Sequence, residues 1–331
     1  MRILIVKTSS MGDVVHALPV VSDIVQHFPT AVIDWMVEAA FAAIPCMHPG
    51  ICRVHVLRWR MWRHHWLQRK TWQAMAQFRH ELRAQSYDKV IDLQGLIKSA
   101  SWGAQARGPL LGYDRHSLRE PLAALFYQDH AAVPRNLPAV RRCRQLAAHH
   151  LGYELPSTDP DFGLVSPIQS GWNSPHLPYA VLIPCASRPE KFWPIPHWYA
   201  VGRWLRAQGW VPVILWGSRT EEAMAQDIAA HCSGLVPPFL SVAQAASLLT
   251  RAHVVIGLDT GFSHLAAALG RPTLGIYCDH EPGLAGITGP SWVRSIGGKG
   301  QTPTLDEVML LVQEQGHIAQ GGVPNLVEGL I

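Results

Sequence analysis

Charged residues are scarce in this chain of 331 residues, at 16% against 48% apolar. That balance excludes an extended disordered protein and leaves ample material for large buried cores. The six cysteines (Cys46, Cys52, Cys143, Cys185, Cys232 and Cys278) include no C-x-x-C pair and no zinc-ligand spacing. Free buried thiols in a reducing cytoplasm are therefore expected. No apolar run reaches the roughly 18 residues that span a bilayer. Lys7 and Asp13 interrupt the first apolar stretch too early for a secretory signal. No G-x-G-x-x-G follows a strand, and there is no G-x-x-x-x-G-K-[ST], G-x-S-x-G or H-E-x-x-H. These gaps remove the main signatures of nicotinamide dehydrogenases, P-loop enzymes, serine hydrolases and zinc proteases. Asp159-Pro-Asp161 resembles a D-x-D metal motif, but its neighbouring prolines favour a turn.

What is present begins with an uneven charge. The net of +4 is too small for a general nucleic-acid binder. Residues 1–165 carry 19 basic and 13 acidic side chains, a net of +6, while 166–331 carry 9 and 11, a net of −2. Within 53–83 the basic residues number eight and the acidic one.

The order of elements reads as strand–helix alternation, which implies parallel sheets covered by helices. Strands are expected at 2–6, 31–37 and 89–93, with one helix over 13–27. A Pro/Ser/Gly/Asn-rich stretch, 166–178, reads as a linker between a domain of residues 1–165 and one of residues 179–331. Beyond it the pattern restarts, with strands at 179–184, 211–215, 253–257 and 273–277. Helices are expected at 196–208, 221–231, 242–250, 262–269 and 305–315, the last reaching back toward the first domain. The expected fold is α/β, two Rossmann-like domains facing each other across a cleft at the carboxyl ends of both sheets.

Five constellations sit where such a fold binds ligands. Lys7-Thr-Ser-Ser-Met-Gly-Asp13 closes the first strand; Asp13 either caps the next helix or takes a proton from an acceptor hydroxyl. Gly12 there suits a tight turn. In Gly257-Leu-Asp-Thr-Gly-Phe-Ser-His264, Thr260 and Gly261 open a helix as an anion site within reach of His264. Asp259 either caps that helix or holds a sugar hydroxyl. Ser187-Arg-Pro-Glu-Lys191 places an ammonium beyond another strand, either solvated or on a phosphate. Glu221 or Glu222 favours a helix N-terminus or binds ribose hydroxyls. Arg58-Trp-Arg-Met-Trp-Arg-His-His-Trp66 interleaves cations with tryptophans. It reads as a solvated helix face, a stacking surface for nucleic acid, or a surface for an anionic amphiphile. Lys98 and Arg119 add positive charge nearby.

At these residues the chain resembles the bacterial lipopolysaccharide heptosyltransferases. The resemblance rests on Ile5-Val-Lys-Thr-Ser-Ser-Met-Gly-Asp13-Val-Val-His-Ala-Leu-Pro19, Asp92-Leu-Gln-Gly-Leu-Ile-Lys-Ser99, Arg119-Glu-Pro-Leu-Ala-Ala-Leu-Phe-Tyr127 and Asp259-Thr-Gly-Phe-Ser-His264. It runs to about residue 315 and favours the branch that adds the first heptose, heptosyltransferase I. It implies a GT-B fold and inverting glycosyl transfer with no metal and no other cofactor. The implied donor is ADP-L-glycero-β-D-manno-heptose. The implied acceptor is the Kdo of Kdo2-lipid A, met by a cytoplasmic, peripheral enzyme at the inner face of the inner membrane, without nucleic acid. Asp13 then matches the base. Ser187, Lys191, Glu221, Asp259, Thr260, Gly261 and His264 match the donor site, and Arg58, Arg60, Arg63, Lys98 and Arg119 the acceptor side. Two departures stand out: Ala186 and Ser187 replace paired threonines, and Met61 replaces a lysine. The rival readings are a later-acting heptosyltransferase, a sugar-nucleotide epimerase and a noncatalytic lipopolysaccharide- or RNA-binding protein.

Overall fold

Ile3, Leu4, Ile5 and Val6 are four consecutive apolar residues with no solvent exposure. Such a run suits a strand covered on both faces, and Arg2–Val6 forms β1 at the centre of the first sheet. In the computed structural model, which describes residues 1–166, 172, 175–279 and 281–319, the chain divides between Val165 and Ser166 into two units. Most of the 166–178 stretch, and everything past 319, lies outside the described residues.

The first unit adds β2 (Val32–Glu38), β3 (Ile51–Leu57), β4 (Lys89–Asp92), β5 (Leu110–Tyr113) and β6 (Asp129–Ala131). All six strands are parallel, in the order β3-β2-β1-β4-β5-β6. The second unit holds β7 (Tyr179–Ile183), β8 (Val211–Ile214), β9 (Val254–Leu258), β10 (Thr273–Tyr277) and β11 (Val293–Gly297). These are also parallel, in the order β11-β10-β9-β7-β8. Its core joins Leu182, Ile256 and Ile276 from the sheet to Trp198, Val201 and Leu205 of the helix Ile195–Ala207. Val308 and Val312 of the helix Leu305–Ala319 bury in this same core.

Three expectations need correction. The single helix over 13–27 is two, Met11–Ala17 and Pro19–His27. Pro19 has no N–H to continue the ladder and instead occupies the first turn of a new helix, where that donor is not needed. β3, β5, β6 and β11 were absent from the expected strands. β3, β6 and β11 are sheet edges, and β3 and β11 carry Arg53, His55 and Arg294 where an apolar run would have signalled a strand. Finally, Cys46 and Cys52 are exposed thiols, while the other four cysteines are buried. Asp161 behaves as a turn residue, its Oδ1 accepting the Gly163 N–H at 2.9 Å.

The helix Ala139–Leu151 is tied to the helix Pro19–His27 by a buried fork. Arg144 donates from Nε and Nη2 to the two Asp23 carboxylate oxygens at 2.8 and 3.0 Å, and from Nη1 to the Thr158 carbonyl at 3.2 Å. Removing one partner of such a pair strands the other charge. Arg144→Met is expected to lower the unfolding free energy by about 3–5 kcal/mol in urea titrations. Adding Asp23→Leu should recover most of that loss; a cost near zero for Arg144→Met alone would contradict the assignment.

Candidate active site

In the first unit the candidate residues gather at the carboxyl edge of β1 and β4. The first of these strands runs out through Lys7 into the turn that ends at Asp13. Lys7 is buried, and its Nζ donates to the Leu93 carbonyl at 3.0 Å. Asp13 is the third residue of the helix Met11–Ala17, and its Oδ2 accepts the Ser10 backbone N–H at 2.8 Å and the Ser10 hydroxyl at 2.7 Å. Among the described residues Oδ1 accepts no hydrogen bond. Capping therefore engages one oxygen and leaves the other open. Burial alone would raise the Asp13 pKa, but the Lys7 charge, the Ser10 hydrogen bonds and His16 outweigh it and hold the carboxyl below its ordinary value. Asp13 is thus an ionised acceptor at neutral pH. Gly12 has no left-handed backbone; it sits in the first helical turn, contrary to the tight turn expected of it.

The turn is held by a neighbour that sequence reasoning passed over. Gln94 Oε1 accepts both the Thr8 and the Ser9 N–H at 3.0 Å. Gln94 is itself fixed by Asp92, whose Oδ1 accepts the Gln94 N–H at 2.9 Å and the Gly95 N–H at 3.2 Å. Asp92 Oδ2 accepts the hydroxyls of Ser99 and Tyr127 at 2.8 and 2.9 Å. Burial pushes the Asp92 pKa up, and these four donors only partly offset it. Gly95 has φ +69°, the left-handed backbone that this tight Asp-initiated turn needs. The usable signal was an Asp-x-Gln-Gly sequence closing a strand.

Lys98 donates to the Ser9 hydroxyl at 3.2 Å. Burial depresses its pKa and the charges of Arg60 and Arg63 add to that, against Glu38 and Glu120, which raise it. Arg60, Arg63 and Lys98 therefore share one electrostatic neighbourhood. No described contact joins Arg58 or Arg119 to it. Arg58 lines a separate groove of about 540 Å³ with His55, Gln77 and Glu81, and Arg119 is exposed. The tryptophans divide. Trp62 is buried, packing on Phe78 and Trp102 at ring separations of 5.8 and 5.4 Å. Trp66 and Trp72 remain 60% and 57% exposed.

In the second unit the candidates again stand beyond strand ends. Lys191 follows β7, Glu221 follows β8, and Asp259, Thr260, Gly261 and His264 follow β9. Asp259 organises them: its Oδ2 accepts from Lys191 Nζ, and its Oδ1 lies 3.3 Å from His264 Nε2. Burial opposes ionisation of Asp259, yet His264 and Lys191 hold its carboxyl far below the ordinary range. Thr260 is the N-cap residue of the helix Gly261–Ala268, but its side chain makes no capping bond, and among the described residues its buried hydroxyl has no partner. A positive helix end, an ammonium and an unpaired hydroxyl make an anion site. Gly257 beneath it has to be glycine, because a Cβ would stand 2.9 Å from that of Ile183. Glu221 Oε2 accepts the Gly217 N–H at 2.8 Å, and Ser187 is exposed.

Two doubly wound parallel α/β units with polar residues at their carboxyl edges are those of a GT-B glycosyltransferase. Residues 75–311 match the model of glycosyltransferase family 9 (heptosyltransferase). The chain belongs to that family. Lipopolysaccharide heptosyltransferase 1 of Escherichia coli O18:K1:H7 is 37% identical over 323 residues, 96% of this chain and 99% of that protein. That of Pseudomonas aeruginosa PAO1 is 40% identical over 302 residues, 89% and 83% of the two. Among solved structures, E. coli heptosyltransferase WaaC with ADP superposes with a TM-score of 0.87 at 37% identity, covering 95% of this chain and 100% of that one.

The depressed Asp259 pKa sets a direction with pH. Its ionic contacts stabilise the fold fully above the unfolded carboxylate value and are lost as pH falls toward the folded one. The destabilisation caused by Asp259→Asn should be full near pH 7 and shrink below about pH 4. Chemical unfolding across that range checks it; a cost that grows in acid would contradict it.

Proposed function

We propose that the chain is a lipopolysaccharide heptosyltransferase 1, moving L-glycero-D-manno-heptose from ADP-heptose to the Kdo of Kdo2-lipid A with inversion and without a metal. The observation that carries this reading is Asp13, a half-tethered, ionised carboxylate at the end of β1. End-to-end similarity to proteins named lipopolysaccharide heptosyltransferase 1 supports it. So does a relative solved with ADP-2-deoxy-2-fluoro heptose, at 36% identity and a TM-score of 0.85.

In this reading Asp13 Oδ1 accepts the proton of the attacking Kdo hydroxyl. The leaving ADP gathers negative charge on its diphosphate. Lys191, the amides that open the helix Gly261–Ala268 and the Thr260 hydroxyl receive it, supplying the positive field that a divalent ion supplies in other transferases. Asp259 presets Lys191, so little reorganisation is needed when the diphosphate arrives. Glu221 is assigned to the ribose and His264 to the phosphates. Loss of the base should cost about 10²–10⁴-fold in turnover. Asp13→Ala should show that fall with donor affinity kept, measured as ADP release and mass gain on Kdo2-lipid A. Near-normal turnover would remove Asp13 from the role, and loss of wild-type turnover in excess EDTA would restore a metal. Donor that changes configuration with no acceptor present would favour the epimerase reading.

The acceptor reaches the enzyme from a membrane, and the first unit has a surface suited to that. No helix among the described residues is long and apolar enough to cross a bilayer. A groove of about 910 Å³ is lined by Trp59, Trp72, Met75 and Trp102, with Arg79 and Arg83 among its polar residues. Trp66, Leu67 and Trp72 are exposed on the segment that carries Arg63, Arg69 and Lys70. Tryptophan at interfacial depth with arginine on acidic head groups fits peripheral binding at the cytoplasmic face. Each charge removed should weaken binding to anionic vesicles by about fivefold, near 1 kcal/mol. Arg69→Gln and Trp72→Ala should therefore lower co-sedimentation with such vesicles, and unchanged binding would reject this surface.

A further inference from the structure

Three metal-ligating side chains that the transfer reaction leaves unused meet where β6 begins and the helix Ala139–Leu151 ends. They are Asp129, His149 and His150, with ligand atoms all within 4.8 Å of one another. They lie off the reaction centre, because β4 and β5 separate β6 from β1, roughly 14 Å of sheet.

The geometry of His150 singles this cluster out. Its side chain is fully buried, and its Nε2 lies 3.0 Å from the Gly112 carbonyl oxygen. A carbonyl only accepts, so Nε2 carries a proton, and in the neutral ring the lone pair then stands at Nδ1. Among the described residues that buried Nδ1 meets no hydrogen-bond donor and stands 3.4 Å from Asp129 Oδ2, an atom that only accepts. Two electron-rich atoms facing each other are stabilised by a cation between them. An imidazole whose far N–H is fixed by a carbonyl is also the usual setting of a metal-ligating histidine. The other two groups are free to adjust: His149 is exposed, its ring 5.2 Å from that of His150, and Asp129 is 65% exposed.

We propose that Asp129, His149 and His150 bind one zinc ion that pins the edge strand β6 to the helix Ala139–Leu151. Two imidazoles and a carboxylate suit zinc, with water completing four-coordination. β6 gains most from such a pin, since it has three residues and, among the described residues, pairs only with β5. The ion is structural and stands apart from the metal-free transfer.

The test is calorimetric titration of ZnCl2 into the metal-stripped full-length protein, with thermal unfolding followed in parallel. One equivalent is expected to bind and raise the Tm. Asp129→Asn and His149→Ala change exposed residues, so the fold is kept, and each should weaken binding by at least about tenfold. Turnover should be equal with zinc and with EDTA. The exposed thiols Cys46 and Cys52 are the competing zinc ligands. Cys46→Ser with Cys52→Ser should leave the titration intact. Absence of binding to wild type, or binding lost with the thiols and retained in Asp129→Asn and His149→Ala, overturns the proposal and leaves His150 and Asp129 as an ordinary ion pair.

Discussion

The first unit depends on one buried carboxylate. Asp92 ends β4 out of contact with water, and four donors converge on it: two backbone amides of the following turn, Ser99 and Tyr127. A buried acid without such partners would cost several kcal/mol. With them it becomes the fixed point from which Gln94 reaches out to the Thr8 and Ser9 amides. The stretches that resemble the heptosyltransferases at Ile5–Pro19, Asp92–Ser99 and Arg119–Tyr127 are distant in sequence but form one hydrogen-bonded unit. Their shared task is to hold the turn that presents Asp13.

The second unit solves a similar problem with the opposite charge balance. Asp259 is also an acid placed just past a strand, but it is partnered by Lys191 and His264 rather than by neutral donors. The result is positive charge held ready beside a helix N-terminus, in a half of the chain whose own net charge is −2. The first half keeps its excess of basic residues for the Arg/Trp surface. The uneven charge thus maps onto two different features, an Arg/Trp surface on one unit and a candidate anion site on the other.

Much of this was legible in the sequence where burial is symmetrical. The apolar runs of β1 and β10 announce strands, because a strand covered on both faces needs no polar alternation. The edge strands β3 and β11 were not legible, since one-sided pairing tolerates arginine and histidine. The split at Pro19 was readable from the missing N–H, but helical periodicity on both sides masked it. Asp13, Lys191 and Asp259 could be picked out because charge at a strand end is chemically conspicuous. Gln94 could not, because its importance lies in accepting two amides from a segment more than eighty residues away. The tryptophans of the basic segment gave one signal for two outcomes: Trp62 packs inside and Trp66 faces solvent. Only the tertiary fold separates them.

Gln94 is placed to act through Asp13, the proposed base. A double-mutant cycle measures it directly. Gln94→Leu, which keeps the bulk and removes the acceptor, should lower kcat by about 10²-fold by letting Asp13 drift, with the KM for ADP-heptose little changed. In an Asp13→Ala background the same substitution should have almost no further effect on kcat. Equal losses in both backgrounds would show that Gln94 merely supports the fold, and would contradict a role for Asp92 and Gln94 in positioning Asp13 as the proposed base.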